Sequence, residues 1–211
     1  MFFYSEIQFC KLLESVENNK SWQFKDPSYY VDRDKVMLMM SYYLGLRKNE
    51  VANASVDCID FENDLYFVHQ SIAKNKKARI IPIPNVFCSI LKCYVDEYNL
   101  DSWLFLSRDQ KGKQRESLGH LTSYAVGFRF RIYRKLAGFN SLKDYSKDGK
   151  KLSLMRFHDL RGTYATNLDK AGIRLKVIQN LLGHSHLFST ERYLCDSNLE
   201  ERKQAVNSVF D

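Results

Sequence analysis

The chain carries one stretch of strand-like spacing, and its position restricts the fold more than any other feature. Before Val56, apolar residues recur at helical intervals, and from Val56 to Pro84 they alternate. After that, helical spacing returns. Ile7, Phe9, Leu12, Leu13 and Val16 predict a helix over 4–17. Val36, Met37, Met40 and Leu44 predict another over about 30–44, stopped by Gly45. The intervening "NNKSWQFKDPSYY" reads as a polar turn around Pro27, and Asn49 reads as the cap of a short helix. "SVDCIDF", "DLYFVHQSI" and "ARIIPIP" predict three strands, joined by turns at "END" and "AKNKK". A helix follows from Asn85, its expected N-cap, and then a basic helix over 120–137. A charged loop over 138–153 precedes helices over about 158–170, 174–182 and 197–207. Helices, a small sheet and more helices make an α+β fold, mostly helical with a three-stranded antiparallel meander.

At 211 residues and 45% apolar, the chain suits one domain with a substantial core. Lys and Arg outnumber Asp and Glu by 32 to 25, a net charge of +7. That excess favours a polyanionic partner without proving one. Five cysteines (Cys10, Cys58, Cys88, Cys93, Cys195) fall at irregular spacing with no C-x-x-C. A zinc knuckle or thiol-redox site therefore has no support, and free thiols in a reducing compartment are expected. No apolar run approaches a membrane span and no leader is visible, so the expectation is an intracellular protein without a membrane partner.

Two segments carry candidate chemistry. In "FHDLRGTYATNLDKAGI", Leu160, Tyr164 and Leu168 recur every fourth residue and should face the core. His158 and Arg161 lie one turn apart on another face, in the first turn of the helix, where free backbone N–H groups favour an anion. A phosphate grip and a solvated helix start both fit those residues. In "IRLKVIQNLLGHSHLFSTERYL", the residues Ile173, Val177, Ile178, Leu181 and Leu182 make an apolar stripe ending at Gly183. His184 follows that stop directly. The pair His184 and His186 invites a metal reading, but residues two apart do not share a helix face and no Glu or Cys completes a set, so no metal is expected. His69 and His120 receive no role.

"GLRKNE", "AKNKKARIIPIP", "HDLRGTYAT" and "LLGHSHLFSTERY", in that order, resemble the catalytic domain of the tyrosine recombinase (phage integrase) family. The resemblance runs from the helix before Gly45 through Tyr193. It implies that Arg47, Lys74, His158, Arg161, His184 and Tyr193 form the catalytic set, with Glu50 supporting Arg47. By the same resemblance the chain, 1–211, corresponds to the catalytic domain, with the N-terminal core-binding domain absent. A departure is Gly162, where the family often has a bulkier basic residue.

The implied reaction is transesterification on double-stranded DNA, with no cofactor, metal or ATP. Tyr193 attacks a phosphodiester, a 3′-phosphotyrosine forms and a 5′-hydroxyl leaves; the retained bond energy lets a second 5′-hydroxyl reverse the step. Arg47 and Arg161 would clamp the phosphate oxygens with bidentate forks, each worth roughly 3–4 kcal/mol. Lys74 would protonate the leaving oxygen, His158 would take the phenol proton, and His184 would donate to the phosphate. Lys76, Lys77, Arg129 and Arg131 are candidate DNA-backbone contacts, with a solvated surface as the alternative. The resemblance further implies a homotetramer on DNA, coupled through the C-terminal helix, in the cytoplasm and associated with the nucleoid. Two rivals share the fold: a catalytically idle DNA-binding regulator, and a telomere-resolving or topoisomerase-like enzyme.

Overall fold

The computed structural model describes residues 3–19, 27–107, 119–139, 143–145, 151–153 and 155–184. Helix α1 (Glu6–Glu17) starts at a reciprocal cap, in which the Gln8 N–H donates to Ser5 Oγ and the Ser5 N–H donates to Gln8 Oε1. Just before it, the Tyr4 N–H donates to Thr163 Oγ1 at 2.7 Å, tying the N-terminal segment to the helix that carries His158. Helix α2 (Pro27–Leu44) is longer than its apolar spacing predicts. Pro27 opens the helix rather than making a turn, because a first-turn residue needs no N–H and proline's φ is already helical.

Two helices begin alike. In α3 (Lys48–Ala52) the cap is Arg47, not Asn49, and the Arg47 N–H donates to the Glu50 carboxylate at 2.8 Å. In α6 (Phe157–Lys170) the Arg156 N–H donates to Asp159 at 2.7 Å. Both "RKNE" and "RFHD" use a carboxylate three residues on to satisfy the entry of the chain.

The meander forms as expected, with shorter strands: β1 (Ile59–Asp60), β2 (Leu65–Val68) and β3 (Arg79–Pro82), in order β1-β2-β3, all antiparallel. Tyr66 lies opposite Ile81 and Val68 opposite Arg79. The "END" turn is closed by the Asp60 carboxylate, which accepts from the N–H groups of Glu62 and Asn63. Helix α4 (Asn85–Glu97) is capped by Pro84, with Asn85 already inside it. Helix α5 (Ser123–Leu136) is the basic helix, capped by Thr122. The 138–153 region is not all loop. Strands β4 (Lys143–Tyr145) and β5 (Lys151–Ser153) pair antiparallel within it. Three-residue strands of polar sequence leave no alternation to read.

Helix α7 (Leu175–Leu182) follows α6 and packs on it through Ile178 and Leu182, with Ala165 between. Ile173 and Val177 stay partly exposed, so the buried stripe is narrower than the sequence pattern. Gly183 ends α7 at φ +62°, and its N–H and that of His184 return to Asn180 O and Gln179 O. Among the described residues, no helix is long and apolar enough to cross a membrane.

Helix α5 is pinned to α2 by a buried polar knot. Asp34, fully buried, accepts from Arg33 Nε at 2.8 Å, from Arg129 Nη1 at 3.1 Å and from the Tyr133 hydroxyl. Arg33 also lies over the rings of Tyr29 and Tyr30. Removing one partner from a buried charge network costs more than the network is worth intact, about 3–5 kcal/mol. Asp34→Ala is therefore expected to lower unfolding free energy by that amount in urea titration with an unchanged slope. A loss under about 1 kcal/mol would show that the knot carries little of the α2–α5 packing.

Candidate active site

The end of α7 is the organising feature of the site. The returning bonds at Gly183 and His184 satisfy Gln179 and Asn180, leaving the carbonyls of Leu181, Leu182 and Gly183 without partners in their own helix. Three arginines from three other places fill them. Arg79 Nε donates to Leu181 O at 2.8 Å. Arg161 Nη2 donates to Leu182 O. Arg47 Nη2 donates to Gly183 O at 3.3 Å, and Asn75 Nδ2 reaches the same carbonyl at 3.1 Å. A helix C-terminus carries partial negative charge, so it is a natural seat for guanidinium groups.

Glu50 holds these arginines from the other side. Its carboxylate accepts from Arg47 Nη1 at 2.9 Å, and from Arg79 Nη1 and Nη2 at 3.0 and 2.7 Å. Arg161 Nη1 lies 4.0 Å away. Burial alone would raise the Glu50 carboxyl. The hydrogen bonds and charge of Arg79, then the charge of Arg161 and the backbone N–H of Arg47, overcome it and hold the pKa at about 2.

Arg161 sits deepest and is fully buried. Besides Leu182 O it donates to Gly45 O at 2.5 Å, past the end of α2. Gly45 lies at φ +62°, and a Cβ there would come 2.6 Å from the Tyr164 ring, so this carbonyl is presented from a backbone only glycine permits. Arg161 Nη2 also lies 3.0 Å from His184 Nε2. A guanidinium only donates, so Nε2 is the acceptor and the neutral ring carries its proton on Nδ1. Where a sequence reading places Arg161 on an open face, the structure closes it in. Here its Nη1 and Nη2 donors are turned to protein carbonyls and to His184.

His158, one turn earlier, lies at the start of α6, open to solvent on one side and enclosed on the other. Desolvation first, then the positive charge of Arg161, lower its imidazole pKa to about 4, with Asp159 opposing. His184 is lowered to about 3 by desolvation and then by Arg161 and Arg47. Both imidazoles are neutral at pH 7.

The structure thus brings Arg47, Glu50, Arg161 and His184 into one bonded cluster, with His158 at its edge. Lys74 is exposed in the β2–β3 turn, beside Asn75. Lys76 and Lys77 are exposed in the same turn. Tyr193, His186 and Cys195 lie outside the described residues, as does the expected helix over 197–207. Arg131 is exposed, with its guanidinium over the rings of Tyr124 and Phe128. Arg129 pairs with buried Asp34, which gives it an internal task. Among the described residues no cluster of three His, Cys, Asp or Glu could hold a metal.

Arg79 received no role from sequence. Its signal is strand parity. It is in phase with Ile81 and Ile83, both buried, whereas Ile80 is exposed, so a guanidinium stands on the core side of β3.

Three guanidiniums meet one carboxylate here, beside two neutral imidazoles and a basic turn. Residues 11–200 match the phage integrase family, and the chain belongs to it. A tyrosine recombinase of Thermosipho africanus is 32% identical over 177 residues, 84% of this chain and 54% of that protein. The chain spans about half the length of the curated relatives it matches. The XerA recombinase crystal structure has a TM-score of 0.68 at 21% identity, covering 99% of this chain and 65% of that one. The Tn1549 transposon integrase in complex with circular intermediate DNA has a TM-score of 0.67 at 17% identity, covering 97% and 64%. The fold is that of these recombinases.

The titrations have a defined sign. Both imidazoles have folded pKa values below the ordinary 6.5, so as the pH drops from ~6.5 to ~3 the unfolded chain binds more protons and stability is lost. Glu50, held below the 4.5 of a free carboxyl, adds a second loss between pH ~4.5 and ~2. A bound anion should raise both imidazoles. Millimolar sulfate, against chloride at equal ionic strength, is expected to move the NMR midpoints of His158 and His184 upward and to remove part of the first loss. Midpoints near 6.5 that ignore sulfate would contradict the electrostatics described.

Proposed function

We propose that this chain is the catalytic domain of a site-specific DNA recombinase or integrase that cuts and rejoins double-stranded DNA through a 3′-phosphotyrosine. The carrying observation is the convergence of Arg47, Glu50, Arg161 and His184 on the end of α7. Tyr193 Oη attacks phosphorus and the bond to O5′ breaks. His158 takes the phenol proton, and Lys74 delivers one to O5′. A base with pKa about 4 is weak in the empty site. The incoming phosphate offsets the charge of Arg161 and Arg47 and raises that basicity where the reaction needs it. Arg47, partly open at 16% side-chain exposure, meets the phosphate first, and Arg161 follows as His184 turns its Nδ1–H toward it. No ATP is required, because the phosphotyrosine conserves the bond, and the guanidiniums of Arg47 and Arg161 meet the phosphate charge where a metal otherwise would. A homotetramer on DNA, joined by the C-terminal segment, completes the reading. XerH and the Tn1549 integrase, whose structures contain DNA, support the choice of partner.

A nicked duplex from the ends of its own genetic element should trap a covalent adduct. Tyr193→Phe is expected to abolish the adduct, and Arg161→Lys to slow it by about 10²–10³-fold. DNA binding without any adduct in the unaltered chain would instead identify an idle regulator, and relaxation of supercoiled DNA without exchange would identify a topoisomerase-like enzyme.

Beside His158 a cleft of about 440 Å³ is lined by Lys48, Arg131, Arg134 and Arg156 over an apolar floor that includes Phe130 and Phe157. It extends the positive surface along the path a DNA backbone would take from the site. Arg131→Ala is expected to weaken DNA binding across sequences and to lower the salt slope by about 1. Arg129→Ala should instead cost stability through Asp34. The reverse pattern would place the backbone track on the other face of α5.

A further inference from the structure

The geometry points to Arg79 as a positioning residue that locks the Lys74 hairpin to the His184 end of α7, so that both arrive at the phosphate as one unit. Arg79 joins three elements at once. It begins β3, it forks onto both oxygens of Glu50 at 3.0 and 2.7 Å in α3, and its Nε reaches Leu181 O at 2.8 Å in α7. Its side chain is 6% exposed, so it does not present itself to a substrate. Gly183 makes the contact possible, since a Cβ there would come 3.0 Å from Arg79 Cδ. Asn75 adds a second stitch from the turn itself, to Gly183 O, directly beside Lys74. Leu182 O and His184, which both engage Arg161, belong to the same helix end. If that end shifts, the Arg161–His184 contact shifts with it.

Neutralising Glu50 needs only a positive charge, whereas positioning needs the fork and Nε together. Lysine supplies the charge and cannot supply the geometry. The purpose of the unit rests on the proposed recombinase reading, but the test separates the two. In the whole, ligand-free chain, ¹⁵N NMR of His184 should show a proton on Nδ1 with Nε2 as acceptor. Arg79→Lys and Arg79→Gln are both expected to convert it to a tautomer mixture. Both should also weaken sulfate binding by about tenfold or more, with lysine no better than glutamine. A wild-type tautomer and sulfate affinity in Arg79→Lys would mean that charge alone suffices. The same result in Arg79→Gln would reduce Arg79 to packing. If the Arg79 variants fail to fold, Asn75→Ala, which removes no charge, should show the same mixing at smaller amplitude, and an unchanged His184 there would overturn the proposal. Absence of sulfate binding in the unaltered chain would count against the oxyanion site, while the tautomer still decides the role of Arg79.

Discussion

The carbonyls of Leu181 and Leu182 at the end of α7, and of Gly183 that caps it, have no partners within the helix, and the arrangement of the site follows from how they are supplied. A buried carbonyl without a donor is costly, and a helix end concentrates several in one place. Arginine answers this with several donors in a rigid plane and a charge that matches the helix dipole. Arg79, Arg161 and Arg47 each take one carbonyl, drawing β3, α6 and the start of α3 onto the same point. The requirement that stabilises the helix end also gathers the cations that an oxyanion needs.

Glu50 makes that gathering tolerable but does not neutralise it. One buried carboxylate serves three guanidiniums, and the histidines at the rim are kept neutral by desolvation and by those same charges. The site therefore holds uncompensated positive charge that a phosphate would balance. Preorganised charge of this kind favours the state in which negative charge is greatest, which in phosphoryl transfer is the transition state. Arg161 complicates the picture in a useful way. Its Nη1 and Nη2 donors face Gly45 O, Leu182 O and His184, which ties its position to the α7 end.

The order helix, sheet, helix was legible from spacing alone, as were the meander, α6 and the stop at Gly183. Each rests on local periodicity or on one residue with a strong backbone preference. The misses share a different cause. Pro27 looked like a turn because a proline inside the first turn and a proline between helices read alike. The β4–β5 hairpin has strands of three residues, too short to alternate. Arg129 and Arg131 are two apart in one basic run, yet one pairs with Asp34, far off in the chain, and the other lies over two exposed rings. The four motifs marked Arg47, Lys74, His158, Arg161, His184 and Tyr193 as a set, of which Tyr193 lies outside the described residues. Arg79 stood in the same quoted segment as Lys74 and carried a parity signal that no motif uses.

What the sequence by itself determined was the order of the main helices and the meander, and the chemical types available to the site, because both depend on residues close together in the chain. Tertiary structure alone decided which of the charges would be buried, which would face each other and which would stay open. Gly45 and Arg161 are separated by 116 positions, and Arg79 and Leu181 by 102. Guanidiniums so distant in sequence acquire their partners only when the core has closed, since hydrogen bonds depend on ångström-scale geometry that no local pattern encodes.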